Sequence, residues 1–216
     1  MGGKVPGVNG GERDIAEKTR RGKMRAMTVE QAESQLLTVE DYLAGEEANE
    51  TKHEYVGGMV YAMAGGVNRH HAIASNVLGL LHGQVRGKPG RPFNSDTKVR
   101  VQYPTHTRFY YPDAMVVCGE WPPEQHFQDT PTLLVEVASP STRRTDELEK
   151  RDAYQTIPTL RVYLFLEQDR AAAVVWRRGD QGFAREVYEG LSAVIELPEI
   201  EARLPLADAY ESVRFA

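Results

Sequence analysis

Two stretches decide how this chain folds: Tyr110-Tyr111-Pro112-Asp113-Ala114-Met115-Val116-Val117-Cys118 and Thr132-Leu133-Leu134-Val135-Glu136-Val137-Ala138-Ser139. Both are short apolar runs rich in β-branched residues, as in strands buried on both faces. Each carries one carboxylate. An ionised Glu136 in mid-strand costs roughly several kcal/mol unless it is paired or bound to a metal. A wet outer face or a pairing arginine is the simpler account of it. Asp113 follows a proline, and Pro-Asp alone is a common turn dipeptide. The register makes it more informative. If Phe109 to Cys118 and Thr132 to Ser139 are antiparallel neighbours with Cys118 opposite Thr132, Asp113 falls opposite Val137 and beside Glu136. A bulge or a slip of one residue then brings both carboxylates to one face. Such a pair is the hard-oxygen set that suits Mg²⁺.

Working outward, a helix is expected from Thr145 to Thr156, closed by Ile157-Pro158. Asp146, Lys150 and Tyr154 recur every fourth residue and share a face. Taken alone, Asp146 and Lys150 read as a solvated ion pair. Beside a metal carboxylate, Lys150 can instead orient a water and offset phosphate charge. Upstream, Thr38 caps a short helix through Leu43 that ends near Gly45, and Gly57-Gly58 turns a hairpin between His53 and Met63. Ile73, Val77, Leu80, Leu81 and Val85 give His71 to Val85 a helical apolar face, and Thr97 to Tyr103 alternates as a strand. Downstream, Arg161 to Glu167 and Ala171 to Arg177 are apolar strands, with weaker β signals at Glu186 to Tyr188 and Val194 to Leu197. This order describes an α/β or α+β domain with a mixed sheet.

The 216 residues, 41% hydrophobic and 26% charged, suit one globular domain. No apolar run is long enough to span a bilayer and the N-terminus lacks a signal-peptide core, so a cytoplasmic protein without membrane contact is expected. Cys118 is the only cysteine, which excludes a disulfide framework or a thiolate metal cluster. The net charge of −5 disfavours coating nucleic acid by bulk charge. It is unevenly placed. Met1 to Met27 holds seven basic against three acidic residues, a net of +4, leaving −9 for the rest. Residues 1–36 read as a flexible basic tail, or an extension upstream of a start at Met24 or Met27, and 37–216 as the single domain. Arg86 to Arg108 holds six cations against Asp96, and Arg143, Arg144, Lys150 and Arg151 form a second basic group. Both are adequate for phosphate contact, or simply occupy wet faces.

From Tyr111 to Tyr154, the pattern Tyr-Pro-Asp, apolar strand, Leu-Leu-Val-Glu-Val-x-Ser-Pro-Ser-Thr, then Asp, Lys and Tyr at intervals of four resembles the Uma-type restriction endonucleases of the PD-(D/E)XK nuclease superfamily. The similarity extends over about Leu37 to Arg178. It implies a restriction-endonuclease-like core with a mixed central sheet flanked by helices, and a Mg²⁺-dependent endonuclease acting on DNA, with Mn²⁺ able to substitute. By the same resemblance Asp113, Glu136 and the carbonyl of Val137 hold the metal, Lys150 assists the nucleophilic water, and Glu54 is an accessory ligand or else a surface strand residue. A homodimer is compatible with it. The superfamily's usual lysine position, two residues after the second acid, is Ala138 here, so Lys150 on the following helix is the substitute. Two other readings stand beside this one: a non-catalytic DNA-binding or assembly module with the same fold, and a phosphodiesterase acting on a smaller substrate.

Other chemistry is poorly supported. His70 and His71 lack a metal-spaced partner and read as a hydrogen-bonded or packed helix start. Ser139 and Ser141 lack a glycine-flanked elbow, and no glycine-rich phosphate loop is present.

Overall fold

The structure is a computed structural model that describes residues 36–63, 65–138 and 145–215, with backbone alone at 145–147. The chain divides into two units, Met1–Ser34 and Gln35–Ala216, and every described residue belongs to the second. The expected basic tail therefore lies, apart from Leu36, outside the described residues.

Helix α1 (Val39–Ala48) is capped as its sequence requires, with the Asp41 amide donating to the Thr38 hydroxyl. Strands β1 (His53–Val56) and β2 (Met59–Ala62) form the hairpin through Gly57 and Gly58, both at positive φ. Helix α2 (Asn68–Val85) follows. Next come β3 (Arg91–Asn94), β4 (Lys98–Gln102), β5 (Thr107–Tyr110), β6 (Ala114–Val117), the two-residue β7 (Phe127–Gln128) and β8 (Pro131–Val137). A π-helical turn over Thr145–Lys150 runs into α3 (Arg151–Tyr154). Strands β9 (Val162–Leu166), β10 (Ala172–Gly179) and β11 (Gly182–Glu189) form a meander. Strands β12 (Val194–Leu197) and β13 (Ala202–Pro205) pair with each other, and α4 (Leu206–Ala209) follows.

Two sheets carry the site. One has the order β2-β1-β5-β4-β7, the other β11-β10-β9-β8-β6-β3. The second is mixed, because β8 runs parallel to β9 while its other pairings are antiparallel. Alternation along β8 explains the layering. Leu133, Val135 and Val137 join Ile73, Val77, Leu81 and Val85 of α2 in one core, while Leu134 joins Val99, Val101, Tyr110 and Tyr154 in another. The result is helix on sheet on sheet.

One expectation fails here. Phe109 to Cys118 is not a single strand: β5 and β6 belong to different sheets and are separated at Tyr111-Pro112-Asp113. Pro112 has no N–H for a ladder and its φ is fixed, so the chain leaves the first sheet at this point and enters the second. Asp113 sits at the crossing.

Candidate active site

The break at Pro112 and a bulge between Val116 and Val117 together position the first carboxylate. Ala114 pairs with Val135, Met115 with Leu134 and Val116 with Leu133, but Val117 pairs with Pro131. Simple alternation places Asp113 opposite Val137. The observed pairing runs one residue off that register, so that extending the Ala114–Val135 pairing sets Asp113 level with Glu136, whereas the Val117–Pro131 register continued without the bulge would set it level with Val135. Asp113 is held at both oxygens: Oδ2 accepts from the Val137 amide at 2.7 Å, and Oδ1 lies 2.9 Å from Nε2 of His70 on α2. His70 is thus hydrogen-bonded, as expected, but its partner had no local signal, because 43 residues separate the two.

Glu136 shares the Leu134 side of β8 and is 3% exposed. Its Oε1 accepts from the Tyr154 hydroxyl at 2.8 Å and lies 3.4 Å from Lys150 Nζ. Lys150, 5% exposed, also pairs with Glu54 Oε1 of β1 at 2.7 Å, and its ammonium lies 5.6 Å from the centre of the Tyr110 ring. The helical spacing of Lys150 and Tyr154 therefore aims both at one carboxylate. Glu54 is not a wet strand residue but is joined to Glu136 through the lysine. Burial, then the charges of Glu136 and Glu54, drive the Tyr154 phenol well above its ordinary range, so it remains a donor. Burial likewise pushes the Tyr110 phenol up to about 12, against the opposing hydrogen bond from Arg108.

Among the described residues, no group of three or more His, Cys, Asp or Glu is arranged to hold a metal ion. The side chain of Asp146, and all of Ser139 to Arg144, lie outside the described residues.

The basic stretch Arg86 to Arg108 is largely engaged with the protein itself. Arg100 grips Asp129 with two hydrogen bonds of 2.6 and 2.8 Å, and Arg108 donates to the Tyr110 hydroxyl. Lys88 donates to the Glu201 carbonyl, and Arg91 stacks 4.8 Å over Trp121. Of the second group, Arg151 bonds Asp152. A cleft of about 460 Å³ opens at Asp113, lined among others by Lys52, Gly66, His70, Asn94 and Ser95.

This architecture has a counterpart. A crystal structure from Anabaena variabilis ATCC 29413, described as a "putative nuclease belonging to DUF820", matches with a TM-score of 0.63 at 16% identity, over 88% of this chain and 100% of that one. The two chains therefore share one mixed α+β fold. Residues 39–207 match the Uma2 family, described as "Putative restriction endonuclease", and the chain belongs to it. Two relatives from Synechocystis sp. (strain PCC 6803) carry no assigned activity. The uncharacterized protein slr1290 is 33% identical over 148 residues, covering 68% of this chain and 76% of its own. The uncharacterized protein sll1609 is 31% identical over 140 residues, covering 63% and 78%. The family expected from the Tyr111 to Tyr154 pattern is the one that matches. No described helix is long and apolar enough to cross a membrane.

Proposed function

We propose that this protein is a divalent-metal-dependent endonuclease hydrolysing DNA phosphodiester bonds. Family membership supports a nuclease in general. The observation that carries the finer reading is that Asp113, at the entry to β6, comes level with Glu136 of β8 when the Ala114–Val135 pairing is extended by one residue, with the Lys150 ammonium against Glu136. That donor set fits a hard cation such as Mg²⁺, with Mn²⁺ as substitute, which takes one or two carboxylates and completes its shell with water and phosphate oxygens. Asp113 and Glu136 would hold it, with the Val137 carbonyl as a third oxygen and Glu54 in an accessory place. When bound, the ion supplies positive charge at the scissile phosphate and eases deprotonation of the attacking water.

The chain's own residues do the rest. His70 and the Val137 amide fix the orientation of Asp113. Tyr154 fixes Glu136. Lys150 orients the water for in-line attack and offsets charge developing on the phosphoryl oxygens. Cutting both strands calls for two such sites, so a homodimer is part of the proposal.

Supercoiled plasmid, single-stranded DNA and RNA incubated with Mg²⁺, Mn²⁺ or EDTA test it. Plasmid should be nicked with either metal and spared in EDTA, and Asp113→Asn or Lys150→Met should slow cleavage by about 100-fold or more. Cleavage that survives EDTA or Asp113→Asn overturns the metal reading. Metal-dependent DNA binding with no cleavage makes the protein a binding module.

A further inference from the structure

A second cavity, of about 290 Å³, lies across the β3–β4 turn from the Asp113 cleft. Asn94 and Ser95 line the cleft, while Asp96, Thr97 and Lys98 line the second cavity. A single turn, closed by the Thr97 amide donating to the Asn94 carbonyl at 3.1 Å, thus forms the boundary of both.

Two buried polar side chains stand out there. Lys98 is 7% exposed and Gln128 is 4% exposed, and both line the cavity. Neither side chain has a hydrogen-bond or ion-pair partner among the described residues. The Lys98 ammonium has one ring contact, 5.3 Å from the centre of Tyr111. Burial pushes it below its ordinary range, opposed by the charges of Glu46 and Glu47. The remaining walls combine the flat faces of Trp121, Pro122, Pro123 and the half-buried Phe93 with the polar Gln125 and His126. Trp121 is 39% exposed although Arg91 stacks on it and Phe93 meets it edge-on at 6.4 Å.

A phosphate suits this cavity poorly. Asp96 lines it, and Glu46 and Glu47 already offset the field of Lys98. A flat ring with a polar edge suits it well. Trp121 and the prolines offer faces for stacking, Gln128 offers a donor and an acceptor side by side, and Lys98 offers donors alone. Lysine pairs with the O6 and N7 acceptors of guanine, and glutamine with the N6 and N7 edge of adenine, so both preferences point to a purine.

We propose that this cavity receives an unstacked purine base of the DNA strand whose phosphate occupies the Asp113 cleft, with Lys98 and Gln128 reading its edge and Trp121 stacking on its face. The proposal deepens the nuclease reading and rests on it for the identity of the strand. The cavity itself is tested without catalysis.

The probes are dGMP, dAMP, dCMP and TMP, titrated into the full chain in EDTA while tryptophan fluorescence and calorimetric heat are followed. Purine nucleotides should quench Trp121 and bind about tenfold or more tighter than pyrimidines. Lys98→Met and Gln128→Leu should each weaken dGMP binding by about tenfold. Trp121→Phe should abolish the quench while retaining a binding heat, and because Trp121 is partly exposed, this variant reports even if Lys98→Met fails to fold. Equal affinity for all four nucleotides, no binding at millimolar nucleotide, or binding indifferent to both Gln128→Leu and Trp121→Phe would overturn the proposal. The two readings fail separately: cleavage without nucleotide binding sinks the base cavity alone, and purine binding without cleavage sinks the nuclease alone.

Discussion

Lys150 is the residue on which the site turns, since it joins the buried Glu136 to the half-buried Glu54 of a different sheet. Removing the cation leaves Glu54 and Glu136 facing one another in a poorly solvated place. Lys150→Met should therefore lower the unfolding free energy by about 3 to 5 kcal/mol. Tyr154→Phe deletes one charge-assisted hydrogen bond to Glu136 and should lower it by about 1 to 3 kcal/mol. Urea denaturation measures both. A Lys150→Met loss below about 1 kcal/mol would mean that the pairs behave like solvated surface pairs. Adding Glu54→Gln and Glu136→Gln to Lys150→Met should recover part of the loss, because the stranded charges are then gone. Further loss in the triple variant would mean that packing by the lysine stem, and not charge, sets the effect.

Among elements, the β10–β11 hairpin is tied down by Arg177. Its guanidinium binds Glu186 of β11 at 2.9 Å, the carboxylate of Glu199 and the Glu196 carbonyl of β12. The hydrogen bond from Arg177, helped by one from Tyr188 and opposed by burial, holds the Glu186 carboxyl below its ordinary value of 4.5. A carboxyl lowered by folding stabilises the fold above its unfolded value, and that contribution fades as pH falls through the folded value. Glu186→Gln should accordingly melt lower than the parent at pH 7, and the gap in Tm should narrow as the pH falls below 4.5 and through the folded value. A gap that stays constant across that range would show that the carboxylate charge contributes nothing. Elements of this kind were largely legible in the sequence. The alternation of β4, the apolar runs of β6 and β8 and the periodic face of α2 are local signals. What escaped was non-local. The short β3 and β7 carry too few residues to show a period, and the split of Phe109 to Cys118 between two sheets depends on where Pro112 meets a neighbouring strand. The site divides the same way: Glu136 stood out as a carboxylate within an apolar run and Lys150 and Tyr154 shared a helix face by spacing, whereas the His70–Asp113 contact and the Val116–Val117 bulge arise only when distant segments meet.

For the whole molecule, the question is how a chain of net charge −5 meets a polyanion. The six cations from Arg86 to Arg108 give a false measure, because Lys98 is buried and Lys88, Arg91, Arg100 and Arg108 are committed to protein carbonyls, carboxylates or rings. Few are left to displace counterions from DNA. The salt dependence of binding counts such contacts, since log K falls against log salt with a slope of about −0.9 per neutralised phosphate. Asp113→Asn binding a labelled duplex, followed by anisotropy from low to high NaCl, should give a slope of only about −2 to −3. Recognition then depends on the site itself, and affinity should rise when Mg²⁺ is added to the parent protein with a cleavage-resistant duplex. A slope of about −6 or steeper would show that the basic stretch releases its internal partners and lies along the backbone. In that case the Arg100–Asp129 and Arg108–Glu149 pairs must open on binding. Asp129→Asn, which frees Arg100 beforehand, would then tighten binding, whereas a shallow slope predicts that it changes affinity little.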